Sequence, residues 1–330
     1  MCIRDRLDLD LPERKIIMDG EGRVQRISIP ERLEAHRLIE EMMIQANVAA
    51  AESLEDGRSV CVYRAHDKPS EEKLAALGEF LDSLDLKLKR GDGLRPADLN
   101  RILEQAKGLP VADLVNEVVL RSQAQAEYAI RNVGHFGLNL QRYAHFTSPI
   151  RRYADLLVHR ALIRTLKLGS DGLRNEDEPR LADVARAISE AERRAMAAER
   201  ETSDRLLAAY LADRVGAEFP ARVSGVTRSG LFVRLRDTGA DGFIPASTIG
   251  GEFWRHDETR HALIGDRTGR GYRLGDDVEV RLVEAIPAAG ALRFEILTDG
   301  KPMGEVARGG RFRRSAGRGP HRSGRRPNRR

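Results

Sequence analysis

The run YAHFTSPIRRYADLLVHR, Tyr143 to Arg160, gathers the residue types that could hold a phosphate. Ser148 is expected to cap a helix through its hydroxyl, and Pro149 suits the first helical position, where no N–H is needed. Arg151 and Arg152 then fall in the first turn, at the end of the helix that the macrodipole already makes positive. Two guanidinium groups there form a site for an anion, and phosphate is the usual one. The competing arrangement pairs Arg151 with Asp155 one turn on and leaves Arg152 to water. His135, His145 and His159 are the nearby groups that could exchange protons. Asp155 and His159 lie four apart on one helix face and are expected to form a structural pair instead.

A second concentration of cations lies at the C-terminal end, in ARGGRFRRSAGRGPHRSGRRPNRR. Residues 307–330 hold ten arginines and no acidic residue, so the net +5 of the whole chain leaves −5 for residues 1–306. This stretch is rich in Gly, Pro and Ser and cannot build a core, so it is expected to be a disordered arm. Arg313, Arg314, Arg325 and Arg326 are its candidate contacts to nucleic acid, whose counterions are released as arginine neutralises phosphate. An acidic protein partner or a solubilising end are the alternatives.

These residues need positioning elements, and the periodicity supplies them. LDLDLPERKIIMDGEGRVQRISI alternates around a Gly20–Gly22 turn and predicts a hairpin. An amphipathic helix is expected from about Pro30 to Leu54, then a short strand ended by Pro69. Ser70 caps a second helix with Glu71 and Glu72 in its first turn, although Lys73 leaves the capping box half made. Helix, turn and helix follow, then the compact loop RNVGHFGLNLQRY leading into the arginine motif. After the polar loop LGSDGLRNEDEP, one long helix is expected from Pro179 to about Val215. At Gly216 the period changes to two, and Val- and Phe-containing segments punctuated by glycine predict a small antiparallel barrel.

A chain of 330 residues allows two or three domains. The 41% hydrophobic content supports real cores, while 32% charge and no apolar run near 20 residues argue against a membrane protein. Cys2 and Cys61 do not suggest a disulfide framework, and MCIRDRLDLDLPE has no apolar signal region, so a cytoplasmic protein is expected.

GHFGLNLQRYAHFTSPIRRYADLLVHRAL closely resembles the signature near the end of the catalytic domain in the ribonuclease II/ribonuclease R (RNB) family. LDLDLPE, HRLIEEMMIQANVAAAE and VYRAHDKPSEEKL are similar to preceding segments of that family in the same order, and 216–297 resembles an S1 domain. The resemblance implies an α+β multidomain chain. Its parts are a non-native start at 1–6, the C-terminal part of an RNB α/β catalytic domain at 7–168 and a loop with helical connector at 169–215. An S1 (OB-type) barrel follows at 216–298, and a disordered Arg-rich tail at 299–330. It also implies Mg²⁺-dependent hydrolysis of RNA from the 3′ end to nucleoside 5′-monophosphates, in a monomer that acts on single-stranded RNA, with structured RNA as a second ligand. Ribosomes are a further partner. The family's metal-binding run resembles D-x-x-x-x-x-D-x-D-D, and no such run occurs here. Asp8 and Asp10 alternate with leucines and are a poor substitute, so no metal ligands are assigned and the chain alone is expected to be inactive. It should also expose apolar surface where a missing half would dock.

By the same resemblance Arg151 contacts the phosphate near the scissile bond, and Glu199 matches a glutamate facing the RNA path. Thr147, Ser148, Arg152, Tyr153 and Glu41 are further candidate RNA contacts, against capping and surface ion pairing. Glu40 shares the helix of Glu41. The three histidines receive structural roles, since catalysis in the family does not depend on a histidine base. In the barrel, Phe232 stands where S1 domains stack an aromatic on a base, with Phe243, Arg228 and Arg234 in support. Ser229 and Pro245 replace an aromatic and a histidine common in that pattern. The competing function is a non-catalytic module in which the S1 barrel and arginine tail hold RNA or ribosomes without cutting. An S1-bearing translation or transcription factor would leave the 145–160 motif unexplained.

Overall fold

The computed structural model describes residues 6–9, 14–31, 33–89, 93–109, 111–258 and 260–303. The expected hairpin is present as β1 (Lys15–Met18) and β2 (Val24–Ser28). Helix α1 runs Glu34–Asp56, a turn later than Pro30 would start it, and its inner face buries Ile44, Val48, Ala51 and Leu54. Its outer face leaves Leu38, Ile39 and Met42 more than half exposed, an apolar stripe at helical spacing.

In the segment expected as one strand up to Pro69, β3 (Tyr63–Ala65) pairs with β4 (Glu127–Ala129), and His66 makes an isolated bridge to His135. Between β3 and β4 lie α2 (Glu71–Asp82), α3 (Pro96–Ala106) and α4 (Ala112–Ser122). Ser70 caps α2 as expected, accepting from the Lys73 N–H at 3.3 Å. These three helices share one apolar core around Leu77, Leu81, Leu99, Ile102 and Val115.

A second core joins α1, β3 and β4 to α5 (Tyr153–Thr165) and to the start of α6 (Leu181–Ala212), through Leu54, Tyr63, Tyr128, Val158 and Leu181. A 3-10 turn at Asn175–Arg180 leads into α6. The far end of the same helix sends Ala208 and Leu211 into the core of the barrel. Helix α6 therefore belongs to both halves of the molecule. From 193 to 202 every residue of it is exposed.

The barrel is closed in the order β11-β12-β7-β6-β5, with β5 (Glu218–Thr227), β6 (Gly230–Leu235), β7 (Asp241–Pro245), β11 (Asp277–Ile286) and β12 (Ala291–Ile296). Alternate residues such as Val223, Leu231, Val233, Ile244, Val280 and Phe294 fill it. Gly242 lets Phe294 lie against the backbone, since a Cβ there would stand 2.2 Å from the ring. Gly230, at φ 150°, makes the tight β5–β6 turn, and a Cβ would meet the Ile244 carbonyl at 2.0 Å.

One element was not anticipated. Between β7 and β11 the chain adds β8 (Trp254–Asp257), β9 (Ala262–Gly265) and β10 (Arg270–Arg273), and β13 (Lys301–Pro302) completes a four-stranded antiparallel sheet. Its strands hold at most four residues, too short for a period of two to stand out. The two halves meet through Arg222 with Asp113 (2.9 Å), Arg234 with Glu117 (3.3 Å) and the Phe80 and His261 rings, 5.6 Å apart.

Candidate nucleic-acid interface

The arginine motif sits on a turn, and the turn is held by buried polar side chains from other elements. Asn47, on the buried face of α1, accepts from the N–H groups of Phe146 (2.8 Å) and Thr147 (3.3 Å) and donates to the Tyr143 hydroxyl (3.0 Å). His159 reaches the Phe146 carbonyl at 2.8 Å and stacks on the Phe146 ring, 4.2 Å between centroids. Asp155, fully buried in the first turn of α5, accepts from the Ser148 N–H and from Arg152 Nη2, both at 2.8 Å.

Three expectations about this turn are corrected. The helix begins at Tyr153 with Arg152 in the cap position, so Ser148 is not its N-cap. Asp155 reaches back to take the Ser148 N–H, and the Ser148 carbonyl accepts from the Arg151 and Arg152 N–H groups to close a separate turn. Asp155 pairs with Arg152 rather than Arg151, and His159 bonds a backbone carbonyl rather than Asp155. Arg151 consequently sits on the turn, outside the helix, with no side-chain hydrogen bond or ion pair to a described residue. Beside it Ile150 is fully exposed and Tyr153 about half exposed. On the inner side Thr147 Oγ1, Arg152 Nε and Asp155 Oδ2 are buried without a protein partner.

Behind the turn runs a row of rings: His66 to His135 at 4.9 Å, His135 to Tyr143 at 5.2 Å and Tyr143 to His145 at 5.7 Å. The Tyr128 hydroxyl meets His145 Nδ1 at 3.0 Å, and Arg64 lies over the Tyr128 ring while bonding Glu192 at 2.6 Å. Burial, reinforced by neighbouring cations, pushes His135 and His145 down to about 3. Both imidazoles are neutral near pH 7, which suits packing and hydrogen bonding better than proton exchange. Arg64, Asn47 and Glu192 were not picked out from the sequence. Asn47 was detectable as a polar residue among Ile44, Val48 and Ala51 on the buried face of α1.

The remaining candidates fall into separate places. Glu199 is exposed on the bare stretch of α6 with no side-chain partner among the described residues. Glu41 forms an ion pair with Arg6 at 2.8 Å, and the Arg6 carbonyl accepts from Asn100, so Arg6 is tied into the fold. Phe232 (44% exposed) and half-buried Phe243 are cross-strand neighbours with rings 5.0 Å apart. Arg228 is exposed and meets Glu258 at 3.2 Å. Arg234 is forked onto Asp241 and also bonds Glu117, which assigns its charge to the junction between barrel and α4. Arg313, Arg314, Arg325, Arg326 and Asp10 lie outside the described residues.

The resemblance implies Mg²⁺, and the residues present do not fit it. Among the described residues no three His, Cys, Asp or Glu side chains converge on a point, and Asp8 is an exposed residue in a non-strand segment. A two-metal site needs several carboxylates, and the described residues do not bring them together. Among the described residues no helix is long and apolar enough to cross a membrane.

Residues 3–168 match the RNB domain family, and residues 212–296 match the S1 RNA binding domain. Ribonuclease R of Aquifex aeolicus is 40% identical over 291 residues, covering 88% of this chain and 41% of that protein. RNase R of Mycoplasma genitalium in complex with ribose methylated single-stranded RNA superposes with a TM-score of 0.83 at 28% identity, over 88% of this chain and 46% of that one. The same enzyme in complex with double-stranded RNA gives 0.74 at 26% identity, over 88% and 47%. The chain thus spans about two-fifths of the length of the curated relative. A match over half the chain that includes the pinned arginine turn, joined to an S1 barrel, has one reading: the chain belongs to the RNB family of ribonucleases.

Proposed function

We propose that this chain is the strand-gripping C-terminal part of a ribonuclease R-type 3′→5′ exoribonuclease, which processively releases nucleoside 5′-monophosphates. The observation that carries the reading is Arg151, an exposed guanidinium without a partner among the described residues, on a turn fixed by Asn47, Asp155 and His159. A cation held in place before the substrate arrives stabilises charge on phosphoryl oxygens without reorganising as it develops. Arg151 contacts the phosphate near the scissile bond. Glu199 faces the RNA path, Tyr153 lies beside it, and Thr147, Ser148 and Arg152 hold the turn. The Phe232–Phe243 pair stacks on bases further along the strand. Relatives with single- and double-stranded RNA bound support both as ligands, and ribosome association would follow from the basic arm.

The second reading, a binding module that does not cut, is favoured for the isolated chain by its lack of a carboxylate cluster among the described residues. The apolar stripe of Leu38, Ile39 and Met42 supports a missing polypeptide that covers it. A 5′-labelled single-stranded RNA with Mg²⁺, resolved to single nucleotides beside Arg151→Ala, separates the two. Intact RNA that binds the chain and binds Arg151→Ala about 10- to 150-fold more weakly is expected, since a bond to a charged group contributes about 1.5–3 kcal/mol. Stepwise shortening from the 3′ end, lost in the variant, would show instead that the chain carries a working site.

A further inference from the structure

The four-stranded sheet and the barrel enclose a groove of about 520 Å³ to which, Arg228 aside, no role has been given above. Arg228, Ser247, Phe253, Trp254, Arg255 and His256 line it. Phe253 is 74% exposed, the largest exposure of any aromatic ring in the described barrel half. Its backbone is nevertheless fixed: the Asp266 N–H donates to its carbonyl at 3.0 Å. Next to it, Glu252 accepts from the Arg267 and Thr268 N–H groups and from the Thr268 hydroxyl at 2.8 to 3.0 Å. That carboxylate is thereby committed to the β9–β10 turn. Trp254 forms the inner wall, its indole N–H donating to the Ile249 carbonyl and its ring 5.5 Å from Tyr272.

The cations at the rim are loosely held. Arg228 meets Glu258 at 3.2 Å with both side chains more than 70% exposed, and Arg255 meets Asp266 only at 3.6 Å. Exposed pairs of this kind exchange readily for a stronger anion. The groove also adjoins the Phe232–Phe243 surface. Phe243 covers Gly230, with Cζ 2.9 Å from where a Cβ would stand, and the turn carrying Arg228 is tied to the groove by the Ala246 N–H to Ser229 carbonyl bond (2.9 Å).

We propose that this groove is a second nucleotide site of the barrel, in which a base of single-stranded nucleic acid stacks on Phe253 while its phosphates are met by Arg228 and Arg255. It rests on the RNA-binding reading above. A strand crossing Phe232 and Phe243 is led by the Arg228 turn directly onto Phe253. The sheet added between β7 and β11 then extends the stacking surface of a barrel whose first platform has two rings.

Trp254 is the chain's one tryptophan, so its emission reports on the groove alone. The test titrates a 12-nucleotide oligo(A) into the full chain in EDTA at fixed salt, following Trp254 emission, with anisotropy of a fluorescein-labelled copy in parallel. Wild type should show both signals on one binding curve. Phe253→Ala and Phe253→Leu should each weaken binding about 5- to 150-fold, as loss of one stacked base does, and Phe253→Tyr should restore it. Thermal melting of each variant verifies the fold. Wild-type affinity in Phe253→Ala, or unmoved Trp254 emission while Phe232→Ala weakens binding, would overturn the second site and leave the RNA reading standing. No binding by wild type would overturn both.

Discussion

The arginine turn and the barrel face hold their exposed groups by opposite means. The turn at 146–152 packs Phe146 against the second core and is fixed by three polar side chains, Asn47, Asp155 and His159. Phe232 and Arg228 stand on a closed barrel whose interior is filled by Val223, Leu231, Val233, Val280 and Phe294. Apolar burial is non-directional and spread over many residues, so it tolerates single changes in direction well. A buried hydrogen bond places one atom to within tenths of an ångström, and deleting its partner leaves an unpaired charge or N–H. The proposed phosphate contact, Arg151, stands on the exacting method. The proposed ring platform, Phe232 and Phe243, stands on the tolerant one.

Three changes test that contrast, and the largest should come from Asp155. Asp155→Ala strands the partly buried Arg152 guanidinium and the Ser148 N–H, and should cost about 3 kcal/mol in chemical denaturation. Nucleic-acid affinity of the barrel should be unchanged in conditions where the variant remains folded. A loss below 1 kcal/mol would mean that the turn is held by packing after all.

Acid should act next, again on one region only. His135 and His145 have folded values near 3, below the unfolded 6.5, so the unfolded chain binds more protons between those limits. Stability attached to these groups is complete above about pH 6.5 and is lost as pH falls toward 3. At pH 5 each should account for roughly 2 kcal/mol. Hydrogen exchange should show β3, β4 and α5 opening as pH falls from 7 to 5 while the barrel strands keep their protection. Equal protection in both regions would remove the distinction.

The smallest effect belongs to the junction. Arg234→Ala breaks the bond to Glu117 and the fork on Asp241, half-exposed pairs that contribute about 0.2–1 kcal/mol. RNA affinity should hardly move. A fall of 10-fold or more would return Arg234 to the set of direct RNA contacts.

What was legible in the sequence follows the same division. The hairpin at Gly20–Gly22, the Ser70 cap and the long α6 are written in local spacing and composition, and all are present. The barrel followed from the change of period at Gly216. The family was legible because one long motif carries it. The partners within that motif were not. Ser148 has the chemistry of an N-cap, but a buried aspartate seven residues later takes its N–H, and competition between two caps is settled by tertiary packing. Nor could spacing show that Asn47, about a hundred residues upstream, completes the turn. The added sheet escaped because four-residue strands in a Gly- and Arg-rich stretch have no period to detect.

Helix α6 has a consequence for how far apart these two kinds of surface stand. Its 32 residues rise about 1.5 Å each, so it spans roughly 48 Å, with one end locked in the core behind the arginine turn and the other plugged into the barrel. It works as a gauge as well as a link. Adding or removing one residue in its bare middle would change its length by only about 1.5 Å but turn the barrel by about 100° around the helix axis. That rotation would pull Arg222 and Arg234 off Asp113 and Glu117 and swing Phe232 and Phe243 around relative to Arg151. The phase of this helix, more than its length, sets how those two surfaces face each other.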